Sequence, residues 1–113
     1  MYIIKLEEKR NIVMKLLKCL KMNLLNDDEK EIVYNIVMNL KGKTEKQKTR
    51  FNMYYSLGPN SKEHNPISKI ANFYDCSESA IRDSIRTISF ALYRISEDNI
   101  LLLKKMVGDK IGD

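Results

Sequence analysis

The sequence predicts an all-α fold, a single helical domain of five or six helices that contains a helix-turn-helix. Apolar residues recur at three- and four-residue steps along nearly the whole chain, which is the period of a helix that faces a core. The length of 113 residues suits one compact domain, and 43% hydrophobic residues allow a small core. Only 4 Gly and 2 Pro are present, which excludes collagen-like and Pro-rich disordered chains.

Two helices are predicted within the N-terminal unit, residues 1–42. The apolar face of the first consists of Leu6, Val13, Leu16, Leu17, Leu20 and Leu24. Asn26 or Asp27 is expected to start the second, because these side chains accept hydrogen bonds from the free amides of a first turn. Gly42 is expected to stop it. The apolar face of this second helix consists of Ile32, Val33, Ile36, Val37 and Leu40.

A third helix opens the central unit, residues 44–95. Thr44 and Gln47 have the spacing of a capping box, in which each satisfies a backbone donor of the other. Gly58-Pro59 ends the helix, because proline cannot continue one. Its expected buried residues are Phe51, Tyr54, Tyr55 and Leu57.

Two further helices in the central unit have the spacing of a helix-turn-helix, the motif that lays its second helix in the DNA major groove. Asn65 is expected to cap the first, with Pro66 at the first helical position. Asp75 can adopt the left-handed backbone that the turn needs. Ser77 is then expected to cap a helix that continues to about Ile95. Its buried face consists of Ile81, Ile85, Ile88 and Leu92.

A last helix is predicted within residues 96–113, starting at the Ser96 segment, running from Ile100 to Val107 and ending at Gly108. The first and last helices hold more apolar surface than a minimal helix-turn-helix needs. Two interpretations remain open: they complete a single globule, or one of them forms a homodimer that matches two DNA half-sites. The second is slightly favoured.

The positive charge is concentrated just before and within the helix-turn-helix. The chain has a net charge of +5 and a pI near 9.2. Residues 41–70 carry seven basic and two acidic side chains, whereas the segments on either side are close to neutral. Counterion release from phosphates neutralised by such cations supplies much of the affinity of DNA-binding proteins. The predicted phosphate contacts are Lys43, Lys46, Lys48, Arg50 and Lys69.

The N-terminal end of the second motif helix is where side chains reach base edges. Arg82 and Arg86 suit guanine, since a guanidinium can bond O6 and N7 together. Glu78 or Asp83 can accept from cytosine N4. The predicted base contacts are Glu78, Ser79, Arg82, Asp83 and Arg86. For any one of the charged residues among the predicted phosphate and base contacts, a solvated surface charge is the competing interpretation.

Residues 45–95 resemble the C-terminal region of bacterial RNA polymerase sigma factors, whose helix-turn-helix reads the minus-35 promoter element and touches the polymerase flap. The matching positions are Ile67, Ile70, Ala71, Tyr74, Ser77, Ile81 and Arg82. The chain departs from the pattern at Glu78, where sigma factors usually have a basic residue, and at Asp75-Cys76, where they have Gly-Val. The usual promoter sequence is therefore not expected, and the chain has no room for the region that melts the minus-10 element. A weaker likeness is to the effector domain of the sporulation response regulator.

The leading expectation is a sequence-specific double-stranded DNA-binding protein that regulates transcription. The alternatives are a plasmid or phage accessory protein that marks an origin or transfer site, and an adaptor to RNA polymerase that does not bind DNA. Glu78 and Asp83 on the predicted base-contact face favour the adaptor.

An enzyme, a cofactor and a metal site are not expected. His64 is the single histidine and has no catalytic or metal partner at suitable spacing. Cys19 and Cys76 are too few for a disulfide scaffold, and both are expected to be reduced and to pack as small hydrophobes. Acidic residues at Glu7-Glu8 come too early for a signal peptide, and no apolar run approaches the ~20 residues of a membrane span. A cytoplasmic protein of bacterial type is expected.

Overall fold

The computed structural model describes residues 4–60 and 65–110, and every regular element in these ranges is helical. Within these ranges six α-helices follow one another in the order α1 (Leu6–Lys21), α2 (Asp27–Met38), α3 (Glu45–Tyr54), α4 (Ile67–Tyr74), α5 (Glu78–Ala91) and α6 (Glu97–Val107). Short 3₁₀ turns at Gly58–Asn60 and Leu92–Arg94 follow α3 and α5. The prediction of an all-α domain is confirmed.

Local capping explains where most of these helices begin. Asn26 Oδ1 accepts from the Glu29 amide at 2.8 Å, and Glu29 Oε1 accepts from the Asn26 amide at 3.0 Å. Thr44 and Gln47 form the same reciprocal pair at 3.1 and 3.0 Å. Ser77 and Ser96 cap α5 and α6, each with its hydroxyl oxygen accepting an amide hydrogen bond. Both capping boxes use side chains to satisfy donors that a first turn leaves free.

The start of α4 differs from the prediction. Pro66 is its N-cap, and no side chain caps this helix. Asn65 is buried, and its Nδ2 donates to the Met53 carbonyl at 3.0 Å. The Asn65 side chain is thus used at the C-terminal end of α3 and not at the start of α4. A buried amide needs a hydrogen-bond partner, and this carbonyl near the end of α3 provides one.

The end of α5 also differs from the prediction, which extended this helix to about Ile95. The helix ends at Ala91, the chain tightens into the 3₁₀ turn, and Ile95 is extended with φ −70° and ψ 164°. This conformation buries Ile95 in the core and precedes Ser96, which needs extended backbone to cap α6. A short 3₁₀ turn is a common way to finish a helix.

The main core lies among α1, α2, α3, α5 and α6. Phe51, Leu16 and Leu103 are among its fully buried side chains, and Cys19 is buried there as predicted. Two residues that were predicted on the apolar face of the first helix do not belong to the core. Leu6 is 65% exposed, and Leu24 lies beyond the end of α1 and is 36% exposed. The prediction failed there because helical period alone does not show where a helix ends or where its neighbours stop covering it.

A smaller core joins α4 to α5 through Ile70, Ala71 and Ile81. Ala71 is small at the position where the two helices pack against each other. Ile85 packs against both cores. Because α5 belongs to both cores, its position relative to α4 is coupled to the packing of the rest of the domain.

Candidate nucleic-acid interface

The turn between α4 and α5 has the backbone conformation that the sequence predicted. Asp75 is left-handed, with φ 52° and ψ 53°. The Cys76 amide donates to the Ala71 carbonyl at 3.0 Å, which closes the end of α4. The Ser77 hydroxyl then accepts from the Ala80 amide at 3.1 Å and opens α5. Only three residues separate the helices, and hydrogen bonds at both ends hold the change in direction.

Arg50 connects α3 to this turn and to α5. Its Nη1 donates to Ser84 Oγ at 3.0 Å, and Nη2 lies 3.7 Å from Cys76 Sγ. The guanidinium carbon is 4.6 Å from the centroid of the Tyr74 ring, a cation–π distance. Arg50 Nε is buried and has no hydrogen-bond partner in the described part of the chain. The structure therefore gives Arg50 a role in positioning α5, which the sequence did not reveal.

The outward face of α5 carries the five predicted base contacts, and all of them are exposed: Glu78, Ser79, Arg82, Asp83 and Arg86. Their opposite charges are paired along the helix. Arg82 Nη2 lies 3.3 Å from Glu78 Oε1, and Arg86 Nη1 lies 3.5 Å from Asp83 Oδ1. The face therefore has no net charge in spite of its two arginines. Exposed pairs of this kind contribute about 0–1 kcal/mol each, so either can open when a ligand offers a better partner.

The predicted phosphate contacts do not form one surface. Lys46 on α3 and Lys69 on α4 are exposed. Lys48 is half-buried, and its Nζ donates to the Met38 carbonyl at 2.9 Å, close to the end of α2. Lys43 lies before α3 and lines a groove bounded by α1, the segment after α2 and the end of α5. Lys46 on α3 and Lys69 on α4 are therefore the exposed members of the predicted set.

Other candidate chemistry is sparse in the described ranges. No group of three or more His, Cys, Asp or Glu residues among them could hold a metal ion. Burial raises the pKa of the Cys19 thiol, the opposite of what a reactive cysteine needs. His64 lies outside the described residues. Within residues 4–60 and 65–110 no helix has the length and apolarity required to cross a bilayer.

Comparison of the chain with protein-family models, curated proteins and solved structures found no match.

Proposed function

We propose that this chain is a sequence-specific double-stranded DNA-binding protein that regulates transcription, with α4 and α5 as a helix-turn-helix and α5 as the recognition helix. The observation that carries the proposal is the α4–α5 unit itself. A left-handed Asp75 and a Ser77 cap set the turn, and one face of α5 is held in two cores while the opposite face is exposed. This is the arrangement that major-groove recognition requires.

The exposed face has the donors and acceptors that distinguish base pairs. Arg82 and Arg86 offer guanidinium groups for guanine, and Glu78 and Asp83 offer acceptors for cytosine N4. Their mutual ion pairs hold the side chains along the helix in the free protein. When the chain binds DNA, these weak ion pairs are replaced by contacts with a matching base. At an unmatched base the carboxylate gains no such contact and lies close to negatively charged phosphates. The acidic residues therefore favour selectivity over non-specific affinity.

The central experiment measures binding of the full chain to random genomic DNA fragments at low and at physiological salt. We expect retention at low salt, weaker retention at higher salt, and enrichment of particular sequences. Sequencing the enriched fragments separates promoters from a single origin or transfer site, which would instead indicate a plasmid or phage accessory protein. No retention at low salt would refute DNA binding.

Two variants separate base contacts from phosphate contacts. Arg82→Ala should cost about 1–3 kcal/mol on the preferred site and relax its sequence preference. Lys46→Ala should weaken binding to all sequences similarly and lower the salt slope by about one. Lys105→Ala, which removes an exposed cation from α6, is the matched control and should leave both properties unchanged. Equal effects of Arg82→Ala and Lys46→Ala on every DNA would show that α5 is not the recognition helix.

One observation favours a second function, an adaptor that binds RNA polymerase and not DNA. The exposed face of α5 is electrically neutral because of Glu78 and Asp83. If DNA binding is absent, purified polymerase should bind the chain, and Arg82→Ala should weaken that complex.

A further inference from the structure

A second surface of this domain lies away from the α4–α5 turn. A groove of about 1110 Å³ runs between α1, the C-terminal end of α2 with the segment that follows it, and the last turn of α5 with the adjoining 3₁₀ turn. It reaches α5 at Thr87, Phe90 and Ala91. None of the five predicted base contacts lines the groove. Thr87 directly follows Arg86, so the groove begins where the predicted base-contact face ends.

Among the described residues that line the groove, the charged side chains are all cations, Arg10, Lys41, Lys43 and Arg94. They come from α1, from the segment after α2 and from the 3₁₀ turn after α5, so three separate parts of the chain contribute positive charge to one groove. None of the four lies within 4.0 Å of a carboxylate of the described residues. This contrasts with α5, where each exposed arginine has an acidic neighbour. The described lining of the groove thus carries four positive charges and no carboxylate, which favours an anionic partner.

The same groove also exposes large apolar side chains. Leu6 and Phe90 line it and are 65% and 62% exposed. The Phe90 ring lies 6.5 Å from the ring of Tyr93, which also lines the groove. Exposed apolar surface bordered by polar groups is characteristic of a site that a partner covers. A ligand that complements this groove therefore carries negative charge for the cations and apolar surface for Leu6 and Phe90.

We propose that this groove docks an acidic amphipathic segment of a partner protein, with aspartates and glutamates that meet the four cations and one or two bulky apolar side chains that cover Leu6 and Phe90. The apolar lining is unsuited to a phosphate backbone. A helix or extended segment that carries both kinds of side chain satisfies the whole surface. Arg10, Lys41 and Leu6 lie outside residues 45–95, whereas Phe90 and Arg94 belong to the end of α5 and its 3₁₀ turn. The proposal does not require that α5 binds DNA.

The probe is a phage-displayed library of random 12-residue peptides, selected on the full chain at physiological salt. We expect the retained peptides to contain more Asp and Glu than the input library, together with Leu, Phe or another bulky apolar residue. The affinity of an enriched synthetic peptide is then measured by fluorescence anisotropy. Titration of that peptide into the ¹⁵N-labelled native chain should shift the amide signals of Leu6, Arg10 and Phe90.

The variants replace exposed side chains only, so the fold should be retained, and thermal unfolding checks this. Arg10→Glu combined with Arg94→Glu should weaken peptide binding at least about tenfold, because two attractive contacts become repulsive. Phe90→Ser should weaken it while leaving the charge unchanged. Lys105→Glu is the control for charge reversal on α6 and should stay within about twofold of the native chain.

Enrichment of neutral or basic peptides, no enrichment over the empty support, or amide shifts confined to α4 and the start of α5 would each overturn the proposal. So would a double variant that binds the peptide as the native chain does. If the double variant loses DNA binding and no peptide is enriched, the groove belongs to a DNA interface and the proposal is wrong. Loss of DNA selectivity in Arg82→Ala tests the helix-turn-helix separately, so the two proposals can fail independently.

Discussion

Gly58 lies at the end of the α3 segment in a backbone conformation, φ +67°, that suits glycine. A Cβ atom at this position would overlap Cδ1 and Cε1 of the Tyr34 ring on α2. Tyr34 is half-buried and packs against the main core, and Leu57 on the other side of the peptide bond is fully buried. Neither the ring nor the backbone can therefore move without disturbing packed neighbours. We expect Gly58→Ala to destabilise the domain through two separate effects.

Gly42 provides a matched control. Its φ of +74° is similar, but a Cβ atom there would meet nothing within 4 Å. Gly42→Ala should therefore lower the free energy of unfolding by about 1–2 kcal/mol, the cost of an alanine in the left-handed conformation. Gly58→Ala should lower it by that amount and by about 1–3 kcal/mol more, because the new methyl group overpacks against Tyr34. A domain of this size has a free energy of unfolding of about 5–15 kcal/mol, so the difference between the two variants is measurable.

The assay is urea unfolding followed by circular dichroism at 222 nm, with the free energy of unfolding extrapolated to water. A cycle with Tyr34→Ala isolates the steric term. In the Tyr34→Ala background, Gly58→Ala should cost no more than Gly42→Ala does in the native chain. Equal costs of the two glycine substitutions in the native background would refute the reasoning, because they would show that the Tyr34 ring moves aside freely.

Two further predictions concern single side chains. Asp75→Gly should raise the free energy of unfolding by about 0.5–1 kcal/mol in the same urea assay, since glycine adopts the left-handed conformation at less cost; a loss of stability would mean that the Asp75 side chain contributes more than its backbone strain. Glu29 accepts from Lys110 Nζ at 3.1 Å, and although burial acts to raise its pKa, the Asn26 amide and Lys110 outweigh it and lower the pKa below the usual 4.5. The stability that this carboxylate contributes is therefore present above pH 4.5 and is lost as the pH falls through its lowered pKa. The difference in stability between the native chain and Glu29→Gln should shrink over that acidic range, and a constant difference from pH 7 to pH 3 would contradict the assignment.

The sequence predicted most of the helix starts, but the expected stop of α2 at Gly42 was wrong, because the helix ends four residues earlier at Met38. Asn26, Thr44, Ser77 and Ser96 all lie at helix starts, because the hydrogen bonds that make a cap join residues only three positions apart. The left-handed conformation of Asp75 is predictable for the same reason. Asn65 misled the prediction because an asparagine before Pro-Ile resembles a cap, whereas its amide bonds a carbonyl twelve residues earlier.

The candidate site was harder to predict from sequence, since charge clustered along the chain does not stay clustered in space. Residues 41–50 contain five basic side chains within ten positions. In the folded chain Lys48 turns to the end of α2, Arg50 turns to α5, and Lys41 and Lys43 line the groove, which leaves Lys46 outside these contacts. The positions of these side chains depend on residues far away in the sequence, such as Ser84, which lies 34 residues after Arg50. No local pattern indicates such contacts.

The amino-acid sequence by itself determined the helical class, the caps of α2, α3, α5 and α6, the left-handed turn and the exposed polar face of α5. Each of these depends on the period of a helix or on hydrogen bonds between near neighbours. Only the tertiary structure decided that Arg50 faces inward, that α5 ends at Ala91, and that cations from α1, the segment after α2 and the 3₁₀ turn share one groove. These features arise where distant segments pack together, and packing depends on shapes and charges that meet only in the folded chain.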